Sequence, residues 1–118
     1  FNDVNRFDIV VIENREDNDK IIKRIIGLPN EKIRYTDNKL YINDKLIETN
    51  LSFKKTQDFE YETKNDEYFV LGDNRVVSKD SRILGNFKKE DIVGKVSIRI
   101  YPLDRIGSIK KIFIISRL

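Results

Sequence analysis

The sequence contains no cysteine and no histidine. Without cysteine, the chain can form neither disulfides nor thiolate metal sites. Without histidine, it can build neither a Ser-His-Asp triad nor a Cys-His pair nor the common zinc sites, and we expect no metal and no cofactor. Any hydrolytic chemistry would therefore need lysine, aspartate, glutamate or tyrosine as its base.

Methionine is also absent, including at position 1. We therefore expect that a segment N-terminal to Phe1 belongs to the natural protein. No window of the sequence approaches the roughly 18 consecutive apolar residues of a membrane-spanning helix. Any membrane anchor or targeting segment is expected to lie outside this chain.

Charge of one sign is present in only slight excess, with 23 Lys and Arg against 20 Asp and Glu. A net charge of +3, dispersed along the chain, does not favour a nucleic-acid-binding protein. A basic β-barrel that binds single-stranded nucleic acid would also need aromatic residues along a basic groove. The length of 118 residues, 39% of them hydrophobic and 36% charged, indicates one globular domain, 1–118.

The hydrophobic pattern is mainly that of strands, because short runs rich in β-branched residues alternate with turn residues. Asn and Asp mark the predicted turns, since they tolerate a left-handed backbone. Residues 49–66 are polar, with isolated aromatics, and are predicted to be an irregular excursion. The tail 106–118 fits either a last strand or a membrane-surface segment. The predicted strands cover 7–12, 20–26, 32–35, 39–42, 45–48, 67–71 and 91–101.

Lys23 stands within an apolar strand, on the same face as Ile21 and Ile25. If that face is buried, desolvation lowers the pKa of the amine and makes Lys23 a usable base. The alternative is a lysine on the solvent face of an edge strand.

The segment Gly72–Arg82 combines hydroxyl, carboxylate and guanidinium groups directly after a strand that reads as buried. Such a segment can fold on itself through side-chain-to-backbone bonds and Asp–Arg pairs. The alternative is an ordered turn with weak surface ion pairs.

Taken together, these motifs resemble the type I signal peptidases of bacteria. That family carries a K-R-x-x-G-x-P-G-D box, matched by Lys23–Glu31, and a G-D-N-R-x-x-S-x-D-S-R box, matched at every fixed position by Gly72–Arg82. An R-G-D-x-V box is echoed by Arg6–Val10, with Phe7 in place of glycine. In the second part of the first box, Pro29-Asn30-Glu31 replaces Pro-Gly-Asp, which we expect to be tolerated. Ile92–Val96 and Arg105-Ile106-Gly107 also read like this family.

The resemblance implies a serine endopeptidase with a Ser/Lys dyad, in which Lys23 is the general base and Ser78 orients its amine. It further implies that ion pairs of Asp73 with Arg24, and of Asp80 with Arg82, hold the site together. The implied fold is mainly β, with coiled antiparallel sheets, barrel-like closure, little helix and an exposed apolar surface near the membrane. The other residues of the second box that are expected to shape the site are Gly72, Asn74 and Arg75.

The serine nucleophile is expected to be missing from this chain. Family members present it in a Ser-x-Met-like box after an N-terminal anchor of one or more helices, and no such box exists here. The remaining serines come in the wrong order for it: Ser52, Ser97, Ser108 and Ser116. We therefore expect a truncated extracytoplasmic peptidase domain that is inactive alone.

By the same resemblance, the expected substrates are secretory preproteins, bound as an added strand and cut after small residues at positions −1 and −3. The expected location is the bacterial cell membrane, with this domain on the extracytoplasmic side, at the membrane surface. The alternative is a non-catalytic relative that binds signal peptides. Retention of both Lys23 and Ser78 argues against that alternative.

Overall fold

The chain folds into two antiparallel sheets, as a computed structural model shows for residues 3–14, 17–53, 55–76, 78–96 and 118. The mainly β architecture predicted from the sequence is confirmed. The strands are β1 (Ile9–Glu13), β2 (Lys20–Gly27), β3 (Lys32–Thr36), β4 (Lys39–Ile42), β5 (Lys45–Leu46), β6 (Phe59–Glu62), β7 (Glu67–Leu71), β8 (Phe87–Lys88) and β9 (Ile92–Val96). The only regular helices in these ranges are α1 (Ser81–Leu84) and a 3-10 turn (Lys89–Asp91).

One sheet has five strands in the order β8-β7-β2-β1-β9, and the other has four in the order β5-β4-β3-β6. Within the described ranges the two sheets do not close into a barrel. No helix in this part of the chain has the length and apolar content needed to cross a membrane.

Strand β2 is the centre of the larger sheet, and both of its faces are buried. On one face, Ile25 packs into a core cluster with Val10, Ile12 and Val70. On the other face, Ile26 packs into a second cluster that joins the two sheets. Because successive side chains of a strand point to opposite faces, the adjacent pair Lys23 and Arg24 is divided between these two environments.

The turns follow the local preferences of Asn and Asp. Asn30, which stands where the similar family has glycine, has a φ of 62° and therefore adopts the left-handed conformation that glycine would allow. Asp37 and Asn38 between β3 and β4, like Asn43 and Asp44 between β4 and β5, also have positive φ. These predicted turns are confirmed.

Phe7 occupies the position where the similar family has glycine, and its φ is 72°. A bulky residue with positive φ is strained. The conformation is held by a 2.7 Å hydrogen bond from its backbone N–H to the carbonyl of Ile25. Phe7 also packs against the second core cluster, which helps to offset the strain. Strand β1 accordingly begins at Ile9, not at residue 7 as predicted.

The prediction of an irregular excursion over 49–66 is wrong in its second half. Phe59–Glu62 forms β6 and pairs with β3, because Phe59 and Tyr61 lie within 5.5 Å (ring centroids) of Phe69. Strand β5 is shorter than the predicted 45–48. The end of the predicted strand 91–101 and the tail to residue 117 lie outside the described residues.

Candidate active site

Lys23 and Ser78 meet next to the middle of the larger sheet. Lys23 lies on β2 opposite Val10 of β1, and only 7% of the residue is exposed. Its Nζ donates a 3.2 Å hydrogen bond to Ser78 Oγ. Since β2 is flanked by β1 and β7, the alternative of a solvent-facing lysine on an edge strand is excluded.

The surroundings of Lys23 make its amine easier to deprotonate. Burial lowers the pKa of Lys23 from its ordinary value of 10.5, and the nearby Arg82 guanidinium acts in the same direction. The carboxylates of Asp80 and Asp73 partly oppose this shift. An amine whose pKa moves toward neutrality can accept a proton from a hydroxyl.

Asp80 is the most enclosed charged group beside this pair, with no exposed surface. Arg82 donates to it through Nε (2.9 Å) and Nη2 (2.8 Å), and the backbone N–H of Gly72 donates at 3.0 Å. Burial by itself would raise the pKa of Asp80, but the hydrogen bonds from Arg82, Gly72 and Ser78 outweigh it and lower the pKa. Asp80 is therefore a fixed negative charge near the Lys23 amine.

The segment Gly72–Arg82 folds on itself, as predicted from its composition. Asp80 binds the N–H of Gly72 and the guanidinium of Arg82. Arg82 Nη1 donates to the carbonyl of Arg75 (3.0 Å), and Arg75 Nε donates to the carbonyl of Gly72 (2.9 Å). These bonds form a closed circuit that fixes the backbone carrying Ser78. Asp80 also caps helix α1 by accepting from the N–H of Arg82.

Gly72 is required by close packing against Ser78. A Cβ at this position would collide with the Ser78 hydroxyl, so only glycine leaves room for the contact with Lys23. Asn74, by contrast, is exposed, and no side-chain hydrogen bond joins it to another described residue.

Arg24 and Asp73 lie on the opposite face of β2 from Lys23. The guanidinium donates to both carboxylate oxygens, at 2.9 Å through Nε and 2.8 Å through Nη2. Its Nη1 also donates to the carbonyl of Phe7 (2.9 Å). This pair ties the start of the Gly72–Arg82 segment to β2 and so fixes the position from which that segment reaches Lys23.

Sequence reasoning missed the residues that enclose Arg75. Arg75 Nη1 donates to the hydroxyls of Tyr35 (2.8 Å) and Thr56 (3.1 Å), and its guanidinium lies 4.2 Å from the ring centroid of Phe53. Phe53 and Thr56 belong to the stretch predicted as an excursion. An aromatic residue in an otherwise polar stretch was the only signal that this part of the chain packs against the site.

An ion pair between Arg6 and Glu31, which was not predicted from the sequence, joins two of the motifs. Arg6 makes a two-bond ion pair with Glu31 (2.7 and 2.8 Å) and donates to the carbonyl of Ile26. Among the described residues, no cluster of three or more groups could hold a metal ion. The site offers a buried Lys23 amine, oriented by the Ser78 hydroxyl, which is suited to proton transfer.

Comparison with known proteins gives a consistent result. The family model described as "Signal peptidase, peptidase S26" matches residues 1–101. Signal peptidase I of Streptococcus pneumoniae is 35% identical over 147 aligned residues, which cover 89% of this chain and 72% of that protein. Signal peptidase I U of Bacillus subtilis is 38% identical, over 89% of this chain and 63% of that protein. The crystal structure of a signal peptidase I from Enterococcus faecalis matches 82% of this chain and 99% of its own, with a TM-score of 0.73 and 34% identity.

Proposed function

The chain belongs to the signal peptidase family, peptidase S26, and from this we propose that it is the extracytoplasmic part of a serine endopeptidase that removes signal peptides from secreted preproteins. The observation that carries the proposal is the contact between Lys23 Nζ and Ser78 Oγ within a desolvated site. Since the chain spans about two thirds of the length of its relatives, the activity is proposed for the whole protein.

In the proposed mechanism, Lys23 is the general base. Its neutral amine takes the proton of a serine hydroxyl as that oxygen attacks the scissile carbonyl, and it then gives the proton to the departing amine. Ser78 orients Nζ by accepting one of its hydrogens. The ion pair of Asp73 with Arg24 ties the segment that carries Ser78 to β2, and the ion pair of Asp80 with Arg82 holds that segment folded.

The attacking serine is proposed to come from a segment that precedes this chain in the whole protein. Among the described serines, Ser78 already binds Lys23, and Ser81 is buried with its Oγ accepting from the N–H of Val70 (2.9 Å). Ser52 is exposed and lies in the excursion. We therefore expect no cleavage by the chain alone. Cleavage by the chain alone that Lys23→Ala abolishes would overturn this assignment.

Preproteins and the bacterial membrane surface are the proposed partners. Large hydrophobic side chains are exposed near the site, including Val76 (75% exposed) and Ile83 (71%), on the segment that carries Ser78 and its neighbouring helix. Such exposure supports contact with a peptide or an interfacial region. The relatives are bacterial, which supports the proposed bacterial membrane location.

The test uses the natural full-length protein in detergent with a model preprotein, and the cut site is located by mass spectrometry. Cleavage after a small residue, lost in Lys23→Ala, supports the proposal. Lys20→Ala is the matched control, because Lys20 is exposed on the same strand. If a folded wild-type protein binds the preprotein without cutting it, the alternative of a non-catalytic relative that binds signal peptides replaces this proposal.

A further inference from the structure

A cavity of about 510 Å³ lies beside Ser78 and has a one-sided charge. Among the described residues, its wall includes three basic side chains, from Lys55, Arg75 and Arg82, and no acidic one. Val76 and Ile83 add apolar surface to the same wall. The wall therefore combines positive charge with apolar surface next to the hydroxyl that binds Lys23.

Only one of the three positive charges has a carboxylate partner among the described residues. Arg82 is paired with Asp80 at 2.8 Å. Arg75 bonds to a carbonyl and two hydroxyls, and Lys55 is exposed and in no ion pair with a described residue. A concave surface lined by one sign of charge attracts the opposite charge more strongly than a flat surface does.

Arg75 has an unused hydrogen-bond donor. Only 4% of the residue is exposed, and its Nη2 has no acceptor among the described residues. A buried donor without an acceptor is unfavourable, and it is more so on a charged group. Because Nη2 is enclosed by protein, Arg75 would act on a bound ligand through its positive charge.

We propose that this cavity is a subsite for an acidic side chain, Asp or Glu, of the peptide substrate. The proposal rests on the proposed function, because it places a peptide at Ser78. A carboxylate would provide the counter-charge for Lys55 and Arg75, while the methylene groups of the same peptide segment would contact Val76 and Ile83. The protein would thus prefer preproteins with an acidic residue at one fixed distance from the cleaved bond.

The expected preference follows from the value of a hydrogen bond to a charged group. One such bond gained on binding corresponds to about a tenfold tighter Kd. Since Lys55 is exposed, this preference should decrease as the salt concentration rises.

The test is peptide binding to the chain itself, followed by NMR of the backbone amides of the Gly72–Arg82 segment. The probes are short peptides with alanine at positions −3 and −1 and a single Glu moved by one position in each peptide. Every Glu peptide has a twin with Gln at the same place. Lys55→Ala is the test variant, and Lys39→Ala is the control, since Lys39 is also exposed but lines a separate cavity.

The proposal is supported if a Glu peptide binds about tenfold more tightly than its Gln twin, and if Lys55→Ala but not Lys39→Ala removes the difference. Three results overturn it: no difference at any position, a difference that survives Lys55→Ala, or no binding of any peptide at millimolar concentration. None of these requires cleavage. A full-length protein that cuts Glu and Gln preproteins equally would leave the proposed function intact and remove only this inference.

Discussion

The strongest structural prediction concerns Asp80, because two ion pairs of equal length differ in burial. Asp80 is fully buried and lies 2.8 Å from Arg82, whose side chain is 19% exposed. Asp44 lies 2.8 Å from Lys32, but the Asp44 side chain is 64% exposed. Asp→Asn at each position removes one negative charge and changes the shape of the side chain little.

Asp80→Asn should lower the free energy of unfolding by about 3–5 kcal/mol. The substitution leaves the guanidinium of Arg82 without its counter-charge, and it turns amide hydrogens toward donors that now lack an acceptor. Asp44→Asn should leave stability nearly unchanged, because water screens the exposed pair.

The measurement is urea unfolding of the 118-residue chain, followed by circular dichroism. For a small domain with an m-value of about 2 kcal/mol per molar, Asp80→Asn should lower the midpoint by roughly 2 M. A failure of Asp80→Asn to fold, with Asp44→Asn folded, agrees with the prediction at its upper limit. Equal midpoints for the two variants would show that burial of Asp80 does not determine its contribution, and the reasoning would be refuted.

Four further predictions concern pH, a close contact and a turn. Because the pKa of Asp80 is lowered in the folded state, its stabilising contribution is present above its unfolded value of 3.8 and is lost as pH falls through the folded value; acid titration of unfolding should show this loss in the wild type and not in Asp80→Asn. The pKa of Lys23 is also lowered in the folded state, so between the folded value and 10.5 the unfolded chain binds one more proton than the folded chain. The free energy of unfolding should therefore rise with pH across that window. Lys23→Met should flatten this rise, as measured by urea unfolding at several pH values. Gly72→Ala should displace Ser78 and reduce kcat of the full-length enzyme about 10²-fold. Gly94→Ala is the control and should leave kcat unchanged, because a Cβ at Gly94 would lie 4.0 Å from its nearest neighbouring atom. Equal rates for the two variants would exclude a positioning role for the Ser78 contact. Asn30→Ala should lower stability by about 1 kcal/mol in urea unfolding, and Asn30→Gly should not, since Asn30 has positive φ; a neutral alanine would contradict the strain argument.

The sequence determined the features that depend on a few neighbouring residues. The β-branched content of β2, with the Gly27 and Pro29 that end it, and the alternation in β3 located these strands almost to the residue. Asn and Asp located the turns, since the left-handed backbone is a property of the residue itself. The order of the two boxes around Lys23 and Ser78 was enough to indicate the family, which the comparisons confirm.

Only the tertiary structure decided which surfaces meet. The sequence alone left open whether Lys23 faces solvent. Its amine is buried because β1 and β7 lie on either side of β2, and that arrangement belongs to the tertiary structure. Strand β6 forms because its aromatic residues find Phe69 across a long sequence separation, and no local signal encodes that partner. The enclosure of Arg75 by Tyr35, Phe53 and Thr56 arises in the same way, from contacts between segments that the sequence keeps apart.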